Sequence, residues 1–198
     1  MRRLFVPLIA TLAALSLAGV AQAAKDVGPR APGSFDYYVL SLTWVPGFCA
    51  THRSDPECAK HLGFALHGLW PELEGGDYPS DCSQTALTSA ERRQFADVYP
   101  DASMLKHEWP KHGTCSGLAA ADYFALAAKD EARVTIPDSL KSPKAPKSGK
   151  AASVRQAFIG ANPGLSNDDI NVITARGVVT EVDVCLTKDG AFRSCKAH

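Results

Sequence analysis

The sequence predicts a single α+β domain, an antiparallel sheet flanked by helices and stapled by disulfides. Three observations carry this. Aromatic and β-branched runs at 35–44, 64–70 and 178–186 read as strands. Helical patterns at 88–99, 119–129 and 153–161 fall among them without regular βαβ alternation. Six cysteines follow an apolar leader, an even count suited to a disulfide framework.

The leader begins Met1-Arg2-Arg3, continues as Leu, Ala, Val and Ile through residues 4–20, and ends Ala21-Gln22-Ala23. A basic start, an apolar centre and an A-x-A end define a secretory signal peptide, residues 1–23, cleaved after Ala23. As a membrane anchor it is too short, and it lacks a basic stop. The mature domain is then 24–198, with no later segment able to cross a bilayer and enough chain for one real core. Loss of Arg2 and Arg3 leaves 19 basic residues against 21 acidic, a net charge of −2. That excludes a bulk electrostatic nucleic-acid binder, so any action on nucleic acid must use a local site. Cys49, Cys58, Cys82, Cys115, Cys185 and Cys195 contain no C-x-x-C or C-x-H pair, which argues against a zinc cluster. Spacing alone leaves their pairing open.

Along the chain, residues 24–34 are polar, rich in Gly and Pro, and read as loose. FDYYVLSLTW is the first strand, stopped by VPGFC. FALHGLW is the second, ended by Pro71; alternation sets Phe64 and Leu66 on one face and Ala65 and His67 on the other, with His67 near a strand end. Thr88 and Glu91 form a capping box, and Phe95, Val98 and Tyr99 continue one helical face until Pro100. Helices follow at 119–129 and 153–161, separated by an exposed lysine-rich loop at 139–150. In VVTEVDVCL, alternation puts Val178, Thr180, Val182, Val184 and Leu186 on one face. A turn at 188–190 returns AFRSC as a hairpin partner, which makes Cys185 and Cys195 plausible disulfide partners.

The segment HEWPKH, residues 107–112, is one residue longer than the zinc-protease signature H-E-x-x-H. Histidines five apart lie about 140° apart around a helix, so one helix does not aim both at one ion. Pro110 disturbs a continuous helix, and Lys111 adds a positive charge. Metal is disfavoured on geometry and charge. Glu108 and His112 are instead i, i+4, and Glu108 and Lys111 are i, i+3, so all three face one cavity on a near-helical backbone. With His67 from the second strand, this set suits phosphoryl transfer: one imidazole takes a proton, the other gives one, and a cation steadies the equatorial oxygens. Taken singly, each residue has a simpler role. His67 is then a satisfied strand histidine, Glu108 and Lys111 a surface ion pair, and Trp70 and Trp109 core residues. Three histidines with Glu and Lys in two short tryptophan-bearing segments outweigh those readings.

FALHGLWPE (64–72) and KHEWPKHGTC (106–115) resemble the two active-site segments of the ribonuclease T2 family, H-G-L-W-P and H-E-W-x-K-H-G. FDYYVLSLTW is similar to that family's first core strand, WVPGFC to its bacterial members, and TEVDVCL with Cys195 to its C-terminal strand. The resemblance implies metal-free cleavage of single-stranded RNA through a 2′,3′-cyclic phosphate, with little base preference and no cofactor. It implies His112 as general base, His67 as general acid, His107 as a phosphate ligand, and Glu108 and Lys111 as transition-state stabilisers. Trp70, and less firmly Glu72 and Tyr78, would hold a base. It also implies the disulfides Cys49–Cys58, Cys82–Cys115 and Cys185–Cys195. A monomer acting on RNA and not DNA, secreted or periplasmic, is expected. Pro110 stands at the variable position of the second segment, and Ala65 where a larger or hydroxylic residue is common. Two other classes compete. A binding protein of this fold that has lost activity would be expected to lack one of the catalytic groups, and all are present. A secreted metallohydrolase needs a metal geometry the spacing denies.

Overall fold

In the computed structural model, residues 25–143 and 151–195 are described; the leader and most of the 139–150 loop lie outside them. Four strands form one antiparallel sheet in the order β2-β1-β4-β3, with β1 Tyr37–Trp44, β2 Phe64–Glu72, β3 Ile170–Ala175 and β4 Val178–Leu186. Every residue of β1 is buried, as a central strand covered on both faces requires. The helices are α1 Val45–Phe48, α2 Ser89–Gln94, α3 Leu105–Lys111, α4 Ala120–Arg133 and α5 Ala151–Ala161. On one face of the sheet, Leu40, Leu42, Leu66, Leu69, Val182 and Val184 pack in one cluster with Leu105 and Trp109 of α3, Tyr123 and Phe124 of α4 and Phe158 of α5. The opposite face carries a small cluster of Tyr37, Val39 and Cys185, against which Trp70 packs.

Several elements depart from simple periodicity. Pro71 lies inside β2, opposite Tyr38, rather than ending it. Because β2 is an edge strand, a residue without an N–H is tolerated there. His67 is therefore in mid-strand and not near its end. Ser41 is opposite Gly68 while Leu42 is opposite Leu66, so His67 is the extra residue of a β-bulge. Strict alternation would put His67 and Leu69 together. The bulge instead lets both Leu66 and Leu69 enter the core and turns His67 to the face of Trp70. In β4, Thr180 is likewise unpaired, between Ile173–Glu181 and Thr174–Val179 pairings. Val179, rather than Val178 or Thr180, is consequently the buried core residue.

The Thr88 capping box forms with both bonds in place: Thr88 Oγ1 accepts from Glu91 N at 3.1 Å and Glu91 Oε2 accepts from Thr88 N at 2.7 Å. The helix stops at Gln94, however, and Phe95 and Tyr99 reach the core from turns. Strand β3 has no counterpart among the sequence expectations. The return of AFRSC is a single bridge, Leu186 to Phe192, closed by Thr187 N donating to Ala191 O at 2.8 Å. The segment at 25–28, expected to be loose, is pinned: Val27 N donates to Tyr78 O and Tyr78 N to Lys25 O, each at 3.0 Å. Disulfides join Cys49 to Cys58, Cys82 to Cys115 and Cys185 to Cys195. Such bonds belong to an oxidising compartment outside the cytosol. Among the described residues, no helix is long and apolar enough to cross a membrane.

Candidate active site

The β2 bulge and α3 bring the two sequence segments together. Trp70 touches two imidazoles: the His67 ring meets it edge-on at 5.0 Å, and the His112 ring stacks on it at 5.3 Å. Its indole Nε1 donates to Glu108 Oε2 at 2.9 Å. Gly68 makes this closeness possible, because a Cβ there would lie 2.1 Å from Trp70 Nε1 and 2.5 Å from Glu108 Oε2. A glycine in a strand marks such a close approach.

Helix α3 points Leu105 and Trp109 into the core and leaves Glu108 buried beside Trp70. Pro110 does not interrupt it; the helix runs one residue further, and His112 N donates to Glu108 O at 3.0 Å. His112 thus sits just past the helix end, buried, with its ring 6.0 Å from that of His107 and 5.9 Å from that of Tyr78. Lys111 Nζ lies 5.6 Å from the Tyr78 ring centre. The backbone beyond is fixed by Cys115 N donating to His112 O, by Asp81 N donating to Lys111 O, both at 3.0 Å, and by the Cys82–Cys115 disulfide. The residues expected from sequence therefore converge, with one qualification. Glu72 is buried on the strand, whereas Trp70 and Tyr78 are partly open.

Electrostatics separate the two central imidazoles. Burial pushes His112 down to about 3, and the positive charges of Lys111, His107 and His67 push the same way. Its Nδ1 is buried without a hydrogen-bond partner among the described residues, so little holds a second proton. Burial also opposes charge on His67, but a hydrogen bond and charge from Glu181, with Glu108 and Asp183 behind it, overcome that and raise it. His107 is lowered by burial and by Lys111. Burial raises Glu108 to about 7 against the opposing pull of His67 and the Trp70 hydrogen bond. Glu72 is raised to about 9 by burial and by Asp183. At mildly acidic pH the site thus holds a neutral His112, a charged His67 and a protonated Glu108.

Two carboxylates at the site carry no motif in the sequence. Glu181 Oε2 lies 2.6 Å from His67 Nδ1, reaching from β4 across β1. The alternation of β4 places Glu181 off the core face, but nothing local ties it to residue 67. Asp26 Oδ2 lies 3.9 Å from Lys111 Nζ, while its Oδ1 accepts from Gly28 N and Ser80 Oγ. Among the described residues, no group of three or more His, Cys, Asp or Glu side chains is arranged to hold a metal ion.

A disulfide-stapled α+β fold that brings histidines, a buried carboxyl and a lysine together has the architecture of an RNA-cleaving enzyme. The family model for the Ribonuclease T2 family matches residues 35–195, and the chain belongs to that family. A ribonuclease of Aeromonas hydrophila is 36% identical over 80% of this chain and 74% of its own. Ribonuclease DdI of Dictyostelium discoideum is 27% identical over 91% and 86%. Among solved structures, an RNase-related protein from Calystegia sepium shares the fold at a TM-score of 0.68 and 23% identity, covering 83% of this chain and 92% of that one. The protein is a T2-type ribonuclease, and single-stranded RNA is its substrate class.

Proposed function

We propose that the protein is a metal-independent endoribonuclease of low base specificity that cleaves by attack of the RNA 2′-hydroxyl on the adjacent phosphorus. The observation that carries this reading is the meeting of two imidazoles on one tryptophan in unlike surroundings: His67 is bonded to the Glu181 carboxylate, which favours its charged form, and His112 is buried with Nδ1 unpartnered among the described residues, which favours its neutral form. His112 takes the 2′-hydroxyl proton as the 2′-oxygen bonds to phosphorus. His67 gives its proton to the 5′-oxygen as the P–O5′ bond breaks. The products are a 2′,3′-cyclic phosphate and a free 5′-hydroxyl. In a second step, water opens the ring with the two histidines in exchanged roles, leaving a 3′-phosphate.

Lys111 and His107 flank the position where a phosphate would meet His112, and an incoming anion raises the basicity of His112 toward its working range. Trp70 occupies one oxygen of Glu108, which leaves the proton of the neutral acid on the other, free to donate to an equatorial phosphate oxygen. Glu108 and Lys111 together stabilise the pentacoordinate transition state. The half-open rings of Trp70 and Tyr78 supply stacking that any base satisfies, which accounts for low base preference. Glu72, the third residue expected at the base site, is buried on β2, where burial and Asp183 push its carboxyl toward the neutral form. DNA has no 2′-hydroxyl and is not cut. The enzyme acts as a monomer, secreted or periplasmic once residues 1–23 are removed, with no cofactor.

Digestion of a short RNA and its DNA counterpart in excess EDTA, with product ends identified, tests the reading. RNA cut to 2′,3′-cyclic phosphate ends with DNA intact is expected. Cleavage that stops in EDTA and returns with zinc overturns it.

A further inference from the structure

We propose that Glu181 is the positioning residue of the catalytic acid: its carboxylate holds the Nδ1 proton of His67 and thereby dedicates Nε2 to the departing 5′-oxygen. This rests on the reading of His67 as the general acid. The geometry is specific. Glu181 and His67 stand on β4 and β2, with β1 between them, and still approach to 2.6 Å. On β1, Ser41 pairs with Gly68 and Asp183, and Thr43 pairs with Ala65 and Glu181, so only small β1 side chains separate β2 from β4 beneath the imidazole. The β2 bulge aims His67, and the alternation of β4, with Val182 and Val184 in the core, sets Glu181 and Asp183 on the side away from it.

A neutral imidazole has one N–H and two possible positions for it. A carboxylate at Nδ1 accepts a hydrogen bond only if that nitrogen is protonated, so the second proton of the imidazolium resides on Nε2. In the step, Nε2–H transfers to O5′ as the P–O5′ bond breaks. His67 becomes neutral while Nδ1–H stays on Glu181, so the ring does not reorient between turnovers. The charged and titratable groups around His67 are Glu181 and Asp183 from β4, Glu108, His107 and His112 from α3 and its end, and buried Glu57 from the turn at Pro56–Lys60. Asp183 Oδ1 is shielded from solvent, and burial and the charge of Glu181 drive that carboxyl toward its neutral form. Of the β4 pair, the ionised member is therefore the one that touches the imidazole, and its own proton affinity is lowered by that hydrogen bond against the effect of burial.

The experiment compares two substrates. A dinucleotide needs a proton on its leaving oxygen, whereas uridine 3′-(4-nitrophenyl phosphate) releases nitrophenolate without one; both need the same 2′-attack. Glu181→Gln is expected to lower kcat/KM on the dinucleotide by on the order of 10-fold or more, a share of the 10²–10⁴ that general acid catalysis supplies. Activity on the nitrophenyl ester is expected to stay unchanged. The alkaline limb of the dinucleotide profile should move to lower pH, and Glu181→Asp, which keeps the charge, should restore part of it. In the parent enzyme, 15N shifts of His67 should show Nδ1 as the protonated nitrogen of the neutral ring, a readout that needs no variant to fold. Equal loss on both substrates, an unmoved alkaline limb, or Nε2 as the protonated nitrogen overturns the proposal. His67→Ala is the separate control: if it damages the nitrophenyl ester as much as the dinucleotide, the acid assignment itself fails, whatever Glu181 does.

Discussion

His67 and His112 both contact one indole, yet their surroundings oppose each other. His112 is buried beside Lys111 with no hydrogen-bond partner for Nδ1 among the described residues, and His67 is bonded to a carboxylate. Replacing His112 with Ala should lower kcat/KM by about 10²–10⁴, the usual contribution of a positioned base, with the far-ultraviolet circular dichroism retained. Cleavage equal to the parent would remove His112 from the mechanism. Trp70→Phe keeps an aromatic face and loses the Nε1 donor to Glu108. One hydrogen bond is worth ~1 kcal/mol, so a loss of up to about tenfold in kcat is expected. Six of the residues at the cleft were legible because two contiguous segments carry them: His67 and Trp70 in FALHGLWPE, and His107, Glu108, Lys111 and His112 in HEWPKH, where Trp109 faces the core and Pro110 only spaces the chain. Glu181 and Asp26 were not, because each meets its partner through tertiary contact, and an isolated carboxylate on a strand or in an arm has no local signature.

At the scale of elements, the bulge at His67 decides what the second strand can present. Without it, one face would hold His67 with Leu69 and the other Leu66 with Trp70. Gly68 is the position where this arrangement has no slack. Gly68→Ala should displace Trp70 or Glu108 and cost activity well beyond any loss of melting temperature, read by kcat/KM and thermal melting on the same sample. A fully active Gly68→Ala enzyme would mean the Trp70–Glu108 contact is dispensable. The strand cores and the Thr88 helix start were readable from period and cap, because both are local rules. The bulges were not, since an extra residue is defined only against the partner strand. Strand β3 escaped because just Ile170 is fully buried in it, so INVITA shows no clean alternation.

For the whole molecule, charge and cross-links make separate predictions. The chain has no net charge, so attraction to RNA is confined to the cleft and its few cations. Each phosphate neutralised on a single strand contributes about −0.7 to the salt slope, so log(kcat/KM) against log[salt] should fall with a slope of about −1 to −2. A much steeper slope would mean an extended basic track exists. The Cys82–Cys115 bond spans 33 positions and fixes the backbone after His112. Replacing both cysteines by serine should cost about 3–4 kcal/mol on the chain-entropy argument, measured by chemical unfolding. The pairing was legible only through family resemblance, because six cysteines by themselves leave it undetermined.

The most direct test of the account is the pH dependence of kcat/KM on a dinucleotide in EDTA. A neutral base driven to about 3 in the free enzyme and an acid raised above its ordinary value of 6.5 predict a bell with its maximum in acid. The rising limb belongs to deprotonation of His112, and the falling limb, above pH 6.5, to loss of the His67 proton. A rate that keeps climbing through neutral pH, with no falling limb, would contradict the claim that one imidazole must stay charged while the other stays neutral.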